Sequence, residues 1–497
     1  MSTKSKIFLL VMGFFVLSCN LQKNTVRPVF YEDIIKGFED NWLTHGGGYF
    51  SQRHSSLSQI NRESVYRLNL KWKLKIGSSE NMRGTPLVHN GVMYATSANG
   101  VFALDATNGK KLWNWEVLNK KRGGQNRGVA LLENRVFFIT SDCKLTSFNK
   151  DTGELLWQNK YVHEKGYYCT LAPLAIKDRI VVGVSIDNEA NTRGFIAMFD
   201  AKNGKEIWRF WTTPSVEELG AATWVSGSYD SESDTIYWTT GSPLPNFEGE
   251  KNRPGDNLYS NCLLALDAKT GKLKWYFQFT PHDSHHWDSN EVLILVDEVW
   301  DKEKRKLILQ ANRNGFFYVL DRTSGRFLFG RSFVKKVTWT DGLNQSGRPI
   351  VSVGTSEHLR IGRAGDCPSL LGATNWMSPS YNPITKLFYV VTNDGCEQEA
   401  GQTRIKALDP FSGKTKWEYQ LSGTQFITAG IISTGGGLVF TGDRNKNFIA
   451  LDADTGQILW KHLLGYYIFA SPISYTVNGF QYVAVSAGEM IYVFSLS

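Results

Sequence analysis

Long apolar runs are scarce in this chain of 497 residues. The single extended run, Ile7 to Leu17, has eleven residues and is too short to span a bilayer comfortably. No later segment reaches the eighteen or so consecutive apolar residues of a membrane span. Cysteine is also rare, and no Cys-x-x-Cys-His occurs among the six cysteines, which excludes covalently attached haem.

A dense block of basic residues is missing as well. The net charge of +8 comes from 55 basic and 47 acidic residues spread along the chain, which indicates solubility and no nucleic-acid partner. Aromatic residues and glycine are abundant, with 16 Trp, 20 Tyr, 29 Phe and 46 Gly. That combination favours many short strands joined by tight turns.

The N-terminus has the features of an export signal. Lys4 and Lys6 precede the apolar run, which ends in Val16-Leu17-Ser18-Cys19. This ending resembles the bacterial lipobox, so we expect a lipoprotein signal peptide over 1–18 and a tether over 19–40. Lipidated Cys19 would then hold the protein at the periplasmic face of a bacterial membrane, with the outer membrane favoured. The alternative is a plain secretory signal with an incidental cysteine.

An exported protein can form disulfides. Beyond Cys19, five cysteines remain, so at least one thiol should stay free. The five are Cys143, Cys169, Cys262, Cys367 and Cys396.

One phrase recurs seven times, with the pattern apolar-x-apolar-Asp-x-x-x-Gly-x-x-x-Trp in most copies. The copies are VFALDATNGKKLW (101–113), LTSFNKDTGELLW (145–157), IAMFDAKNGKEIW (196–208), LLALDAKTGKLKW (263–275), FYVLDRTSGRFLF (317–329), IKALDPFSGKTKW (405–417) and FIALDADTGQILW (448–460). Alternating apolar residues predict a half-buried strand, and Asp-x-x-x-Gly predicts a hairpin turn. The repeated Trp and Asp residues are therefore interpreted as scaffold.

Repeats of this kind predict a β-propeller of four-stranded antiparallel blades. An eighth blade can be assembled from LNLKWKLKIG (68–77) and QYVAVSAGEMIYVFSLS (481–497), which are strand-like and lack the Asp–Gly turn. Pairing the two ends would close the ring and protect its edges. We therefore predict an all-β fold, a single eight-bladed propeller over 41–497, with seven blades as the alternative.

Over most of 41–497 the sequence resembles the quinoprotein alcohol dehydrogenases. The similar segments include the opening WLTHGGGYFSQRHSSLSQINRESVYRLNLKW, NRPGDN (252–257), ANRNGFFYVLDRTSG (311–325) and CPSLLGATNW (367–376). The resemblance implies pyrroloquinoline quinone (PQQ), a flat tri-anionic cofactor, with Ca²⁺ or a lanthanide beside it. It also implies an alcohol or polyol substrate, a separate electron acceptor such as a cytochrome or membrane quinone, and a disulfide between Cys367 and Cys396.

The family's site residues can be carried over one at a time. Trp224 matches the tryptophan under the quinone ring, and Arg313 matches the basic residue beside the reactive carbonyl oxygens. The remaining matches are Arg127 to the cofactor carboxylates, Thr170 and Ser185 to hydroxyls that bond the cofactor, and Glu189 to a metal-ligating carboxylate. Two of these residues have a purely structural alternative: Trp224 could be a blade-core tryptophan, and Glu189 could be a surface glutamate.

Three positions depart from the family pattern. Ser242 stands where the family has a metal-ligand asparagine, and a hydroxyl is a poorer ligand for a hard cation than an amide oxygen. KRGGQNRG replaces the segment with a vicinal cysteine pair, and Thr428 lies near the position of a cofactor-adjacent tryptophan.

The stretch TPHDSHHWDSNE (280–291) matches the segment that carries the catalytic base. In one alignment Asp288 is the base and a metal ligand; in the other, His286 takes the base position and Asp288 is a second acid. Histidine can abstract a proton but is a poor ligand for Ca²⁺ or a lanthanide. A transition-metal site built from the three histidines, or a polar loop without chemistry, are further alternatives.

The leading hypothesis is thus an exported, lipid-anchored quinoprotein dehydrogenase that oxidises an alcohol or a sugar-like polyol. The alternative is a non-catalytic propeller that serves as a binding or outer-membrane assembly scaffold.

Overall fold

The protein is described by a computed structural model that covers residues 26–37, 40–77, 82–117, 125–188, 190–246, 253–351, 365–399, 401–423 and 427–496. The predicted signal peptide, Cys19 with its predicted lipidation, and Glu189 lie outside these residues. Within them, no helix is long and apolar enough to cross a membrane. The elements are almost entirely strands, with one short helix, Tyr31–Lys36, and one 3₁₀ turn, Val65–Arg67.

Eight antiparallel sheets of four strands form the blades of a propeller, which confirms the predicted fold class. Blades 1 to 4 have the following strands. Blade 1 has Leu87–His89, Val92–Thr96, Gly100–Asp105 and Lys111–Glu116. Blade 2 has Ala130–Leu132, Arg135–Ile139, Lys144–Asn149 and Leu155–Lys160. Blade 3 has Leu174–Ile176, Arg179–Val182, Phe195–Asp200 and Glu206–Trp211. Blade 4 has Ser228–Asp230, Thr235–Thr239, Cys262–Asp267 and Leu273–Gln278.

The other four blades continue the same order. Blade 5 has Ile294–Trp300, Glu303–Ala311, Phe316–Asp321 and Phe327–Ser332. Blade 6 has Ser380–Asn382, Leu387–Asn393, Thr403–Leu408 and Thr415–Gln420. Blade 7 has Ile432–Thr434, Leu438–Gly442, Asn447–Asp452 and Ile458–Leu463, and His54–Ser55 pairs with its first strand in parallel. Blade 8 has Ile473–Val477, Phe480–Ala487, Met490–Leu496 and Leu68–Lys75.

Blade 8 closes the ring. Leu68–Lys75 is its outer strand and pairs antiparallel with Met490–Leu496, from Leu68 opposite Leu496 to Lys75 opposite Met490. The N-terminal and C-terminal parts of the propeller therefore share one sheet. This is the pairing predicted from the strand-like segments 68–77 and 481–497, which lack the Asp–Gly turn. Closure leaves no blade with a missing strand.

Among the described residues, three short ladders lie outside the four-stranded sheets of the blades. They are Tyr167–Tyr168 with Ser185–Ile186, Leu219–Gly220 with Pro243–Leu244, and Thr340–Leu343 with Pro349–Val351.

The repeated tryptophan joins one blade to the next, and in blade 5 Phe329 stands in its place, against Gly413 of blade 6. Trp157 of blade 2 donates its indole N–H to the carbonyl of Ala201 at 3.2 Å, and its ring lies against the turn glycine Gly204 of blade 3. Equivalent indole N–H bonds of 2.9–3.2 Å run from Trp72 to Ala106, Trp113 to Lys150, Trp208 to Ala268 and Trp417 to Ala453. The repeat is thus scaffold, because most of these tryptophans bind the hairpin turn of the next blade, and Trp460 donates to the Leu68 carbonyl of blade 8.

Part of the segment predicted as a tether packs on the propeller. Val29 exchanges two backbone hydrogen bonds with Glu133, and Ile34 of the short helix is 2% exposed. The ordered body therefore begins before residue 41. Further on, the buried Arg53 donates to the carbonyls of Ile431 at 3.1 Å and Pro472 at 2.6 Å, which fastens the opening segment to blades 7 and 8.

Among the cysteines that the structure describes, two disulfides form, Cys143–Cys169 and Cys367–Cys396, and Cys262 is a buried free thiol. The pair Cys367–Cys396 agrees with the one that the resemblance implied. Cys143–Cys169 links the second hairpin of blade 2 to the segment just before Thr170.

Candidate cofactor site

The loops between blades converge on one cavity of about 330 Å³. Its lining includes seven of the residues predicted for the site: Arg127, Thr170, Ser185, Trp224, Ser242, Asp288 and Arg313. His286 lines it too, so the structure brings together every predicted site residue that it describes. Each comes from a segment that precedes, follows or interrupts a blade, which is why residues far apart in sequence meet here.

Arg127 anchors one wall of the cavity. Its guanidinium donates to the Thr170 hydroxyl at 2.7 Å, and that hydroxyl lies 3.1 Å from the Ser185 hydroxyl. The same guanidinium lies 4.9 Å from the centre of the Trp224 ring, within cation–π range. Burial, and then the neighbouring Arg83, lower the pKa of Arg127 to about 9. Its Nε is buried and has no hydrogen-bond partner within the described part of the chain, so this wall has unused donor capacity there.

Asp288 is held in the cavity wall by three hydrogen-bond donors. Its Oδ1 accepts the backbone N–H of Ser242 at 2.7 Å, and its Oδ2 accepts the Trp224 indole N–H at 3.3 Å and the Arg313 guanidinium at 3.5 Å. Burial raises the pKa of Asp288, but the charges of His286 and Arg313 and the Ser242 N–H lower it by more, so it lies below its ordinary value. The carboxylate is therefore ionised and able to accept a proton.

The rest of TPHDSHHWDSNE organises the loop around Asp283. Its carboxylate accepts the backbone N–H groups of His285 and Trp287, both at 2.8 Å, and the side chains of Ser242 at 3.0 Å and Asn261 at 2.8 Å. Asp283 is buried and does not line the cavity. It thus fixes the loop that carries Asp288 and His286.

The three histidines point to different surroundings. His282 bonds the Gly255 carbonyl at 2.9 Å, His285 stacks on Trp287 with ring centres 4.0 Å apart, and His286 bonds the Asn246 side-chain oxygen at 2.9 Å. Among the residues that the structure describes, no group of three His, Cys, Asp or Glu side chains could hold a metal ion. The alternative of a histidine-based transition-metal site therefore receives no support.

The cavity fits a polyanionic, flat ligand. It has an aromatic face in Trp224, neighbouring hydroxyls, and buried guanidinium nitrogens on Arg127 and Arg313 that find no partner among the residues described. Of the predicted metal ligands, the structure describes Asp288 and Ser242, and the Ser242 hydroxyl donates to Asp283. The Asp288 carboxylate suits a hard cation and Ser242 offers a weaker oxygen ligand, while further ligands would come from the cofactor and from Glu189, which lies outside the described residues.

The lining residues that sequence reasoning missed include Arg83, Asn375 and Trp376. Asn375 and Trp376 close the family-like phrase CPSLLGATNW, so that phrase was the available signal. Arg83 lies outside the repeat and outside every quoted phrase, and only its convergence with Arg127 reveals it. Glu291, beside the site, was also missed; burial raises its pKa well above the ordinary value.

Comparison with known proteins agrees with this geometry. Residues 42–332 and 421–483 match the PQQ family described as glucose/ethanol/alcohol dehydrogenase, beta-propeller domain. The quinoprotein alcohol dehydrogenase PedH of Pseudomonas putida is 35% identical over 519 residues, which cover 90% of this chain and 86% of that protein. The quinohemoprotein alcohol dehydrogenase ADH IIB of the same species is 34% identical, over 90% of this chain and 73% of its own length.

Solved structures give the same result. The quinohemoprotein alcohol dehydrogenase of Comamonas testosteroni superposes with a TM-score of 0.88 at 28% identity, covering 94% of this chain and 82% of that one. A europium-containing methanol dehydrogenase superposes with a TM-score of 0.86 at 27% identity, covering 94% and 100%. This chain therefore belongs to the PQQ-dependent quinoprotein alcohol dehydrogenases, as the resemblance predicted. BamB of Moraxella catarrhalis, at 12% identity, shares the fold alone, so the scaffold alternative is not supported.

Proposed function

We propose that this protein oxidises an alcohol or a sugar-like polyol with PQQ bound in the cavity and with Ca²⁺ or a lanthanide beside it. The observation that carries the proposal is the placement of an ionised Asp288 between Trp224 and Arg313, at the wall of a cavity rich in unused donors. When bound, PQQ supplies an acceptor for the hydride of the alcohol carbon. The remaining chemistry falls to the protein's own residues.

Asp288 takes the hydroxyl proton of the substrate on a carboxylate oxygen, as a general base. The Ser242 N–H and the Trp224 indole N–H orient this carboxylate by binding one oxygen each. Arg313 places a guanidinium where negative charge develops on the reacting oxygens. Arg127, Thr170 and Ser185 hold the cofactor's carboxylates and ring substituents, and Trp224 supports its flat face.

The metal would be held by Asp288, Ser242 and Glu189, and its role would be to polarise the reacting oxygen. Two electrons must leave after each turnover, and a cytochrome or membrane quinone is the proposed acceptor. Anchoring through lipidated Cys19 would place the site at the periplasmic face of a bacterial membrane, next to such acceptors.

Titration of the apoprotein with PQQ, with and without Ca²⁺ or La³⁺, tests the proposal. Tryptophan fluorescence should be quenched to saturation in the presence of the metal, and alcohols should then reduce an added dye. Trp224→Phe should weaken PQQ binding, whereas Trp460→Phe, on the outer strand of blade 7, should leave it unchanged. Absence of saturable binding with either metal would contradict the proposed function.

A further inference from the structure

Arg83 lies in the same cavity and belongs to none of the motifs that predicted the site. Its guanidinium carbon is 4.3 Å from the centre of the Trp376 ring, and that of Arg127 is 5.3 Å from the same ring. Two guanidinium groups therefore share one aromatic platform at one end of the cavity. Arg83 precedes blade 1 and Trp376 precedes blade 6, so the pair forms only when the ring is assembled.

Neither arginine is neutralised within the described residues. The ion pairs found there involve other arginines, such as Arg322 with Asp230 and Arg404 with Asp394, and none involves Arg83 or Arg127. The Nε atoms of both arginines are buried and have no hydrogen-bond partner among the residues that the structure describes. Two neighbouring positive charges repel each other, and burial adds to the cost of both. A bound anion between the two guanidinium groups would offset this cost.

The charge of the cavity wall points to an anion. Among the described lining residues, Asp288 is the only carboxylate, and it already accepts Arg313. Arg83 and Arg127 are left as two positive charges at the other end. A guanidinium presents two parallel N–H groups that match a carboxylate in plane, which a single lysine cannot reproduce.

We propose that Arg83 is a cofactor-binding residue, and that Arg83 and Arg127 together form a two-arginine subsite for carboxylates of PQQ. This inference rests on the proposed function and adds to it one cofactor-binding residue and separate roles for two pairs of residues. Arg83 and Arg127 neutralise the carboxylate end of the cofactor, while Arg313 and Asp288 act at the quinone end. Trp376 holds Arg83 in place through its ring face.

Equilibrium binding of PQQ to the metal-loaded apoprotein, followed by tryptophan fluorescence, tests the subsite without relying on turnover. Loss of one charge-assisted carboxylate contact corresponds to a Kd higher by about 10-fold to 100-fold, which we expect for Arg83→Gln. Arg83→Lys keeps the charge without the fork and should recover part of the affinity. Arg326→Gln, which removes an exposed arginine from a blade-5 turn, is the matched control and should bind like the wild type.

The trimethyl ester of PQQ separates a carboxylate contact from a structural role. If Arg83 binds a carboxylate, Arg83→Gln should weaken binding of the acid but leave binding of the ester nearly unchanged. Equal losses for acid and ester would show that Arg83 only supports Trp376, and would overturn the inference. Wild-type affinity in Arg83→Gln would overturn it as well, while the proposed function would stand. Failure of the wild type itself to bind PQQ would remove both.

Discussion

Asp288 and His286 lie in the same loop and line the same cavity, but their surroundings differ. Asp288 is held by three donors from three separate segments, whereas His286 bonds Asn246 at the cavity's edge. A general base must be fixed in geometry and unprotonated at the working pH. We therefore propose the alignment in which Asp288 is the base and His286 is an electrostatic neighbour.

Substitution of these two residues should separate their roles. Asp288→Asn should lower kcat/KM by about 10² to 10⁴, the usual contribution of a positioned base. The pKa of Asp288 lies below its ordinary value partly because of His286. His286→Asn removes that positive charge, so the pKa should rise and the acid limb of the kcat/KM profile should move to higher pH. The deciding measurement is kcat/KM of both variants as a function of pH. If Asp288→Asn stayed active and His286→Asn were inactive, His286 would be the base.

Local patterns were enough to predict the hairpins but not the site. In the turn after Gly100–Asp105, the Asp105 carboxylate accepts the backbone N–H of Thr107 at 2.8 Å, two positions away. Every partner in that turn is in the repeat itself, so the sequence specifies it. By contrast, the partners of Asp288 are 64, 46 and 25 positions away at Trp224, Ser242 and Arg313.

Resemblance supplied most of what local patterns could not. It selected Arg127, Thr170, Ser185 and Trp224, which do meet around one cavity, although their roles stay predictions. It missed Arg83, because a residue outside the similar phrases gives no signal until the blades bring it beside Trp376. Convergence of loops from different blades is a property of the closed ring, and a single sequence does not display it.

At the level of the blade, the contact between a turn glycine and the preceding blade's tryptophan can be tested. Gly204 has a φ of +72°, and a Cβ there would lie 2.7 Å from the Trp157 ring. Gly204→Ala should therefore add overpacking to backbone strain, at a total cost of about 2–4 kcal/mol, and should lower the melting temperature.

Gly465 offers a matched control for this substitution. Its φ is +86°, yet nothing lies within 4 Å of an added Cβ, so Gly465→Ala should cost only the strain of about 1 kcal/mol. Thermal unfolding followed by circular dichroism compares the two variants directly. Equal melting temperatures would mean that the tryptophan contact does not restrain the turn.

At the scale of the whole ring, buried ion pairs connect neighbouring blades in addition to hydrophobic packing. Arg322, at the end of the third strand of blade 5, is fully buried. It donates to Asp230 of blade 4 at 3.1 Å and to Asp297 of its own blade at 2.7 Å, and its guanidinium lies 4.6 Å from the Phe50 ring. One side chain thus connects two blades and the opening segment. Removing this side chain should therefore destabilise the packing of the blades against each other, and not one hairpin alone.

Asp230→Asn leaves Arg322 buried with half of its neutralisation and should destabilise the protein by about 3 kcal/mol near pH 7. Burial raises the pKa of Asp230, but Arg322 and local hydrogen bonds lower it further, so the folded pKa lies below the ordinary one. Stability from Asp230 is then present above the unfolded-state pKa of about 3.9 and is lost as pH falls through the folded pKa. The gap in melting temperature between wild type and Asp230→Asn should therefore be constant from neutral pH down to about 5 and shrink below about 4.

Asp256→Asn, which breaks the exposed pair with Arg348, should shift the melting temperature little at any pH, because such pairs contribute about 0–1 kcal/mol. Equal shifts for the two variants would mean that the buried pair does not hold the blades together.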